Sequence, residues 1–521
     1  MNPVLRLPQP FNVATCFVDR NVEEGRGGKV AIECGEQRIT YAELLDCVNR
    51  VGNALRSLGV RTEERVLILL PDTPEFLFSF FGVIKVGAVA VPVNTQLRPH
   101  EYEYIVNDTR ARVAIVSDGL LSQLDQIAPE KRGFLKQIIV TGETDTGHCR
   151  FGEVLERASS ELAAEATCKD DAAFWLYSSG STGPPKGCVH LHHDMVVSSE
   201  HYAKGILAMD EQDRCYSVAK LFFAYGLGNA GYYPLYAGAT TILSPSRPTP
   251  ETIFANIERY RPTLFYSVPT NYATLLAYKR EGGSDFDLSS VRYAISAGEP
   301  LPAPLFHRFK ERFGVEILDA LGSTEMLHMV ISNRPGEIRP GSSGKIIPGY
   351  EVRIVDENDN DVPTGEIGSL FVECDATCAG YWNQHEKTKN CFMGPWFRTG
   401  DKYYQDKDGF FWYAGRSDDL FKVNGQWLSP AEVESALISH PAVLEAAVVA
   451  RHDDDGLLKP AAYVVLNPDQ SESDGFAQEL QDWVGKSLSS YKRPRWVEFV
   501  SELPKTATGK LQRFKLRELH P

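Results

Sequence analysis

The sequence predicts an α/β protein: a large N-terminal domain of stacked α/β layers with a small β-rich subdomain, followed by a small α+β C-terminal domain. Three observations carry this expectation. The chain has 521 residues, more than one hydrophobic core usually serves. Over roughly the first 400 residues, short apolar runs alternate with amphipathic stretches, the pattern of α/β layers. After about residue 345 the pattern changes to strand, polar turn, strand.

"YAELLDCVNRVGNALRSLG" (41–59) places apolar residues at helical spacing and ends on a glycine, where a helix stops. "RVLILL" (65–70), "VAVPV" (89–93), "VAIVS" (113–117) and "QIIV" (137–140) read as buried strands. "FLFSFFGVIKVGAVAVPV" (76–93) is long enough to suggest a membrane span, but Lys85, Gly82, Gly87 and Pro92 argue for a buried helix running into a buried strand. "AAFWLY" (172–177), "ATTIL" (239–243), "TLFYSV" (263–268) and "RYAISAG" (292–298) continue the strand series. "YEVRIVDENDNDVPTGEIGSLFVE" (350–373) reads as two strands around a polar turn, and a helix begins near Pro430. The domain boundary is expected inside "GRSDDLFK", giving domains 1–417 and 418–521.

Composition is ordinary for a globular chain, at 43% hydrophobic and 24% charged. The net charge of −15, with no long single-sign run, argues against a nucleic-acid partner. Anionic substrates would have to meet local positive charge. The opening residues lack a basic start followed by an apolar core, so no secretory signal and no membrane partner are expected. The ten scattered cysteines suit reduced thiols in a cytoplasm. Cys374, Cys378, His385 and Cys391 lack the paired C-x-x-C spacing of a zinc site. "HLHHD" (190–194) reads as a turn or helix start, since His192 and His193 would point apart.

One stretch demands a chemical reading. "YSSGSTGPPKG" (177–187) follows an apolar strand and combines Ser178, Ser179, Ser181 and Thr182 with Gly180, Gly183 and Lys186. Glycines let the backbone close around a ligand with N–H groups inward, hydroxyls add donors, and the lysine adds a full charge. Together they suit a polyphosphate. The order is not that of a Walker A loop, because Lys186 precedes glycine. On this loop alone a disordered Ser/Gly linker stands as the alternative.

With four further motifs the sequence resembles the adenylate-forming acyl-CoA synthetases, which include luciferases and the adenylation domains of peptide synthetases. "LGSTE" (321–325), "RTGD" (398–401), "GRSDDLFK" (415–422) and "PKTATGK" (504–510) follow the Ser/Thr/Gly loop in the family's order, over about 330 residues. The resemblance implies a reaction in two halves. A carboxylate attacks the α-phosphate of ATP, giving an acyl-adenylate and pyrophosphate; a thiol then attacks the acyl carbonyl and expels AMP. It implies Lys510 as the cation bridging carboxylate and α-phosphate. Glu325 is implied to hold Mg2+ with the ATP oxygens, with Thr182 nearby, and these three residues form the catalytic set. ATP/AMP binding is implied for residues 178–183, Lys186, Gly298, Glu299, Asp319, Gly322, Ser323 and Thr324, with Asp401 on the ribose hydroxyls and Arg416 beside it. Asp418 is implied as the hinge of a mobile C-terminal domain, which turns "KVNG" (Lys422 to Gly425) toward the pantetheine arm of coenzyme A for the second half.

"KLFFAYGLGN" (220–229) and "GSTEMLHMVISN" (322–333) resemble the aryl-CoA ligases of the benzoate-CoA ligase group. The implied acid pocket is lined by Ala224, Tyr225, Gly226, Ala297, Gly322, His328 and Met329. Small residues would leave a slot, and Tyr225 would wall it. Met329 is adaptable, so ring substituents such as those of 2-aminobenzoate or hydroxybenzoates are open. The expected substrates are an aromatic carboxylic acid, ATP with Mg2+, and coenzyme A. The alternative is a stand-alone enzyme loading an aryl acid onto a carrier protein; Lys510, Glu325 and Asp401 argue against a non-catalytic nucleotide sensor, and an aryl ligase needs fewer assumptions than a luciferase-type oxidase. A homodimer and a carrier-protein partner are left open.

Overall fold

The computed structural model describes residues 5–519 apart from 145–146, 179–183, 281–284, 417–418, 424–425, 454–456, 469, 471, 474 and 506–510. Two large sheets, both mostly parallel, form the N-terminal region. In the first, the buried runs of the sequence pair in the order Cys149–Arg150, Gln137–Thr141, Val113–Ser117, Arg65–Leu69, Val89–Pro92, Ala172–Ser178, Lys186–Leu191. The last strand runs antiparallel to its neighbour, with Ser178 opposite Lys186 and Tyr177 opposite Gly187. The second sheet has parallel strands at its centre: Val30–Cys34, Thr240–Leu243, Arg214–Ser217, Leu264–Ser267, Tyr293–Ser296 and Ile317–Gly322. Met329–Ser332 and Lys345–Ile346 continue it antiparallel at one edge.

The helix expected at 41–59 spans Tyr41–Ser57, opened by a capping box in which the Thr40 hydroxyl accepts from the Glu43 N–H and the Glu43 carboxylate from the Thr40 N–H. Gly59 beyond its end has φ of 77°, a conformation that disfavours a side chain. The apolar run from Phe76 lies in the helix Pro74–Lys85, buried at every residue but Glu75, followed by the buried strand Val89–Pro92. Lys85, 1% exposed, bonds the Asp19 carboxylate and the Asn49 side-chain oxygen at 2.5 and 2.7 Å, which supplies the partners a buried ammonium requires. Among the described residues no helix is long and apolar enough to cross a membrane.

The strands Glu351–Val355 and Gly368–Glu373 pair antiparallel, as the polar turn between them predicts. They join Trp396–Gln405, Phe411–Arg416 and Phe392–Met393 in a separate β-rich sheet. Past it, the helix Pro430–Ile438 starts behind the cap Ser429 and packs on a three-stranded sheet of Val443–His452, Leu458–Leu466 and Trp496–Phe499. This C-terminal unit has its own apolar core, built on Val433, Leu437, Val448, Val464, Leu480 and Val484. The N-terminal core is distinct and far larger. Leu444 of the C-terminal unit rests against the N-terminal cluster around Phe306 and Phe309, so the two units are docked.

Candidate active site

The antiparallel turn-back of the strands Ala172–Ser178 and Lys186–Leu191 brings both ends of the phosphate-loop motif together. Ser178 closes one strand and Lys186 opens the other; Ser179, Gly180, Ser181, Thr182 and Gly183 lie outside the described residues. The Lys186 ammonium lies 3.8 Å from Glu325 Oε1 and 4.6 Å from the centre of the Tyr381 ring. The Tyr381 hydroxyl donates to the same Glu325 oxygen at 2.9 Å. Burial and the Glu325 carboxylate push the Tyr381 phenol above its ordinary range, so it stays a neutral donor.

The turn that carries Glu325 is held from beneath. Gly322 ends the strand Ile317–Gly322 opposite Met329, and the Ser323 hydroxyl accepts from the Met326 N–H. His190 Nε2 donates to the Thr324 carbonyl at 2.8 Å while Nδ1 meets Asp194 Oδ2 at 2.8 Å; both side chains are fully buried. The His190 ring stacks on Phe174 at 5.0 Å. The Cys378 N–H donates to the Glu325 carbonyl at 2.7 Å. Thus "HLHHD" holds the expected helix start at His192 but opens in a strand end rather than a turn, and its first histidine anchors the neighbouring motif.

Gly298 and Glu299, expected to bind ATP, follow the strand Tyr293–Ser296. Gly298 has φ of 90°. The Glu299 carboxylate accepts from the Leu511 N–H at 3.0 Å and from the Thr270 hydroxyl at 3.3 Å, and burial raises its pKa. Asp319 is 4% exposed; its Oδ2 accepts from the Leu301 N–H at 3.3 Å, and burial pushes the carboxyl well above the usual range. It thereby braces the segment from below. Asp401 and Arg416 face each other across paired strands, 3.4 Å apart. Lys422 is exposed on the short hairpin of Phe421–Val423 and Gln426–Leu428. Lys510, the hinge Asp418 and Gly425 lie outside the described residues.

The residues expected around the acid converge. The Tyr225 hydroxyl donates to the carbonyls of Ser267 at 3.0 Å and Ile295 at 3.1 Å, pinning the phenol at the ends of two central strands. His328 Nε2 donates to the Tyr225 carbonyl at 3.2 Å, and the His328 ring lies 5.7 Å from Tyr225 and 4.6 Å from Tyr233. Burial lowers the His328 pKa to about 3, so the imidazole is neutral. Ala224, Ala297 and Met329 are buried, and Met329 pairs across the sheet edge with Gly322. Gly226 and Gly322 are small for a reason the sequence did not disclose. A Cβ on Gly226 would lie 2.1 Å from the Lys220 carbonyl oxygen, and one on Gly322 would lie 2.3 Å from that of His328. Close backbone approach demands glycine at both.

Oxygen donors fit the expected cation. Mg2+ keeps water and phosphate ligands and takes one or two protein carboxylates. Glu325 offers one at 12% side-chain exposure, and among the described residues no group of three His, Cys, Asp or Glu forms a metal cage. Tyr381, His190 and Leu511 escaped the sequence reading, because each acts through a contact between distant segments, and Asp194 escaped it because it acts through His190, four residues away. The only signal was the cluster "HLHHD" itself.

Comparisons with known proteins bear on this geometry. Residues 18–382 match the profile of the AMP-binding enzymes, and residues 432–510 match the C-terminal domain of AMP-binding enzymes. The sequence is 46% identical over 517 residues to a benzoate–CoA ligase of Thauera aromatica, covering 99% of this chain and 97% of that one. It is 43% identical over 510 residues to a 4-hydroxybenzoate–CoA/benzoate–CoA ligase of Rhodopseudomonas palustris, covering 98% and 94%. Among solved structures, the anthranilate CoA ligase AuaEII in complex with anthranoyl-AMP superposes with a TM-score of 0.95 at 44% identity, covering 98% of each chain. A benzoate CoA ligase from Burkholderia xenovorans superposes with a TM-score of 0.89 at 43% identity, covering 97% of this chain and all of that one.

Proposed function

We propose that this chain, which belongs to the AMP-binding enzyme family, is an ATP-dependent aryl-CoA ligase that activates benzoate or a substituted benzoate as its adenylate and passes the acyl group to coenzyme A. The observation that carries the reading is the contact of His328 with Tyr225 beside Met329, which pairs with Gly322 at the start of the turn bearing Glu325, in a chain 46% identical to a benzoate–CoA ligase.

The first half-reaction brings a carboxylate to an anionic triphosphate, so neutralising charge dominates its barrier. Lys186 at the foot of the phosphate loop provides one fixed cation, held by Glu325 and the face of Tyr381. Lys510 provides a second, meeting the substrate carboxylate and the α-phosphate as the new P–O bond forms and pyrophosphate leaves. Mg2+, when bound, neutralises phosphate charge; Glu325 is the protein oxygen suited to hold it, with Thr182 alongside. Asp401, kept in place by Arg416, accepts from the ribose hydroxyls. Gly298 and the residues around it cover the adenine, with Asp319 bracing that segment from beneath.

The acid sits where the pocket is aromatic and uncharged. The neutral His328 adds no charge to compete with the Lys510 ammonium for the carboxylate. In the second half-reaction the C-terminal domain, 418–521, turns about Asp418. Lys422 and Gly425 then face the pantetheine arm, the thiol sulfur bonds to the acyl carbon, and AMP leaves. Free coenzyme A is the acceptor in this reading, without a carrier protein. The ten cysteines are all unpaired thiols, which suits a reducing cytoplasm.

The test is a panel of acids, following pyrophosphate release and thioester formation with coenzyme A as the sole thiol. Benzoate, 2-aminobenzoate or a hydroxybenzoate is expected to give the highest kcat/KM. Faster turnover of octanoate than of every aryl acid would defeat the aryl assignment. Pyrophosphate release without a coenzyme A thioester would shift the reading to a carrier-loading enzyme.

A further inference from the structure

Among the described residues, Leu511, which follows the C-terminal lysine motif, meets the N-terminal domain through a contact that the sequence does not announce. Lys505 and Leu511 pair as an isolated antiparallel bridge, and the Gln512 N–H donates to the Pro504 carbonyl at 2.8 Å. These contacts close the base of the segment that ends in Lys510. The base is tied on its own side: Lys505 bonds both carboxylate oxygens of Glu445 at 2.7 and 2.8 Å, and Arg513 bonds both of Glu434 at 2.9 and 2.8 Å. Toward the N-terminal domain, the Leu511 N–H donates to Glu299 Oε1 at 3.0 Å, a bond spanning 212 residues of sequence. Thr270 holds the other oxygen of that carboxylate at 3.3 Å.

We propose that Glu299 is a positioning residue for Lys510: its carboxylate accepts the Leu511 N–H and seats the lysine segment for the adenylate-forming half-reaction. The proposal rests on the reading of Lys510 given above. A carboxylate on a backbone N–H is a charge-assisted bond, and it is directional. It fixes the main chain at Leu511, the residue that follows Lys510 in sequence. The same glutamate lies in the segment that covers the adenine. The strand Tyr293–Ser296 therefore leads into both the expected nucleotide contacts and the Glu299–Leu511 bond.

A double-mutant cycle tests this. Adenylation is measured by pyrophosphate exchange without coenzyme A in the wild type, Glu299→Ala, Lys510→Ala and the double variant. Thermal melting is recorded for each. Glu299→Ala is expected to lower adenylation kcat about tenfold, roughly what loss of one charge-assisted bond costs. In the Lys510→Ala background the same substitution is expected to change it less than twofold, because a residue acting through Lys510 has nothing left to position. Glu299→Gln, which keeps an oxygen for the Leu511 N–H and offers its amide to Thr270, is expected to restore at least half the wild-type rate. Additive losses in the double variant, or a Glu299→Ala effect confined to the KM for ATP, would overturn the proposal and leave a nucleotide contact in its place. Should Glu299→Ala fail to fold, a Glu299→Gln enzyme as slow as Lys510→Ala overturns it equally. If Lys510→Ala itself adenylates at the wild-type rate, the functional reading of Lys510 fails first, and that outcome is distinguishable from failure of the Glu299 contact alone.

Discussion

Tyr381 decides how the Glu325 carboxylate points. Its hydroxyl donates to Oε1, and its ring faces the Lys186 ammonium that approaches the same oxygen. Removing the hydroxyl alone keeps the ring contact and frees the carboxylate to rotate. Tyr381→Phe is therefore expected to lower kcat/KM for Mg·ATP in the adenylation half-reaction about tenfold, the size of a hydrogen bond to a charged group of ~1.4 kcal/mol. Pyrophosphate release at varied ATP would read it, and an unchanged kcat/KM would show that Glu325 needs no such support. No sequence reading finds this residue, since it lies 56 positions from its partner, within no motif. The motif residues themselves were legible because each carries its chemistry in its type: a lysine behind a glycine-rich turn, and acids where a cation or a ribose must be met. Gly226 and Gly322 show the limit of that legibility. Their smallness was readable as room for a ligand, whereas carbonyl oxygens of neighbouring backbone fill the space.

At the level of elements, apolar period did most of the work. The strands Val113–Ser117 and Gln137–Thr141 and the helix Tyr41–Ser57 stand within a residue or two of their expected bounds, because burial of the strands on both faces and of the helix along one stripe leaves little choice of residue. What period cannot convey is which helices touch. Tyr41–Ser57 and Pro74–Lys85 pack at two glycines: a Cβ on Gly82 would lie 2.8 Å from Val51 Cβ and 3.0 Å from the Val48 carbonyl oxygen. Gly119, by contrast, stands in the helix Asp118–Asp125 with no neighbour within 4 Å of such a Cβ. Alanine is the better helix former by up to about 1 kcal/mol at either site. At Gly82 the clash with rigid backbone outweighs that gain, since overpacking a core costs about 1–3 kcal/mol. Gly82→Ala is thus expected to lower the urea midpoint and Gly119→Ala to raise or keep it. A shift of the same sign and size in both would show that the helix crossing has slack.

For the molecule as a whole, separate apolar cores in the N-terminal region and in the docked C-terminal unit mean that stability must be read domain by domain. The N-terminal domain carries buried neutral histidines whose ordinary tendency is to charge below about pH 6.5. His192 Nδ1 accepts from the Val13 N–H at 3.0 Å, which ties the start of the chain to the strand end after the phosphate loop and requires that nitrogen to be unprotonated. Burial lowers its pKa to about 4, and that of His328 to about 3. Between pH 6.5 and 4 the unfolded chain takes a proton that folded His192 refuses. Its contribution is complete above 6.5 and is lost progressively as pH falls toward 4. Carboxyls raised by burial run the other way: Asp72, lifted to about 6, with Glu299 and Asp319, binds protons more readily folded than unfolded and favours the fold as pH drops. The absolute curve sums these opposing slopes, so the informative quantity is a difference between two proteins. His192→Asn keeps an oxygen for the Val13 N–H and cannot titrate. Relative to the wild type it is expected to gain about 2 kcal/mol between pH 6.5 and 5, at ~1.4 kcal/mol per unit for one suppressed protonation. Urea unfolding of the N-terminal transition at the two pH values measures it. Parallel curves would mean that His192 protonates freely in the folded protein, and that the Val13 contact yields to it.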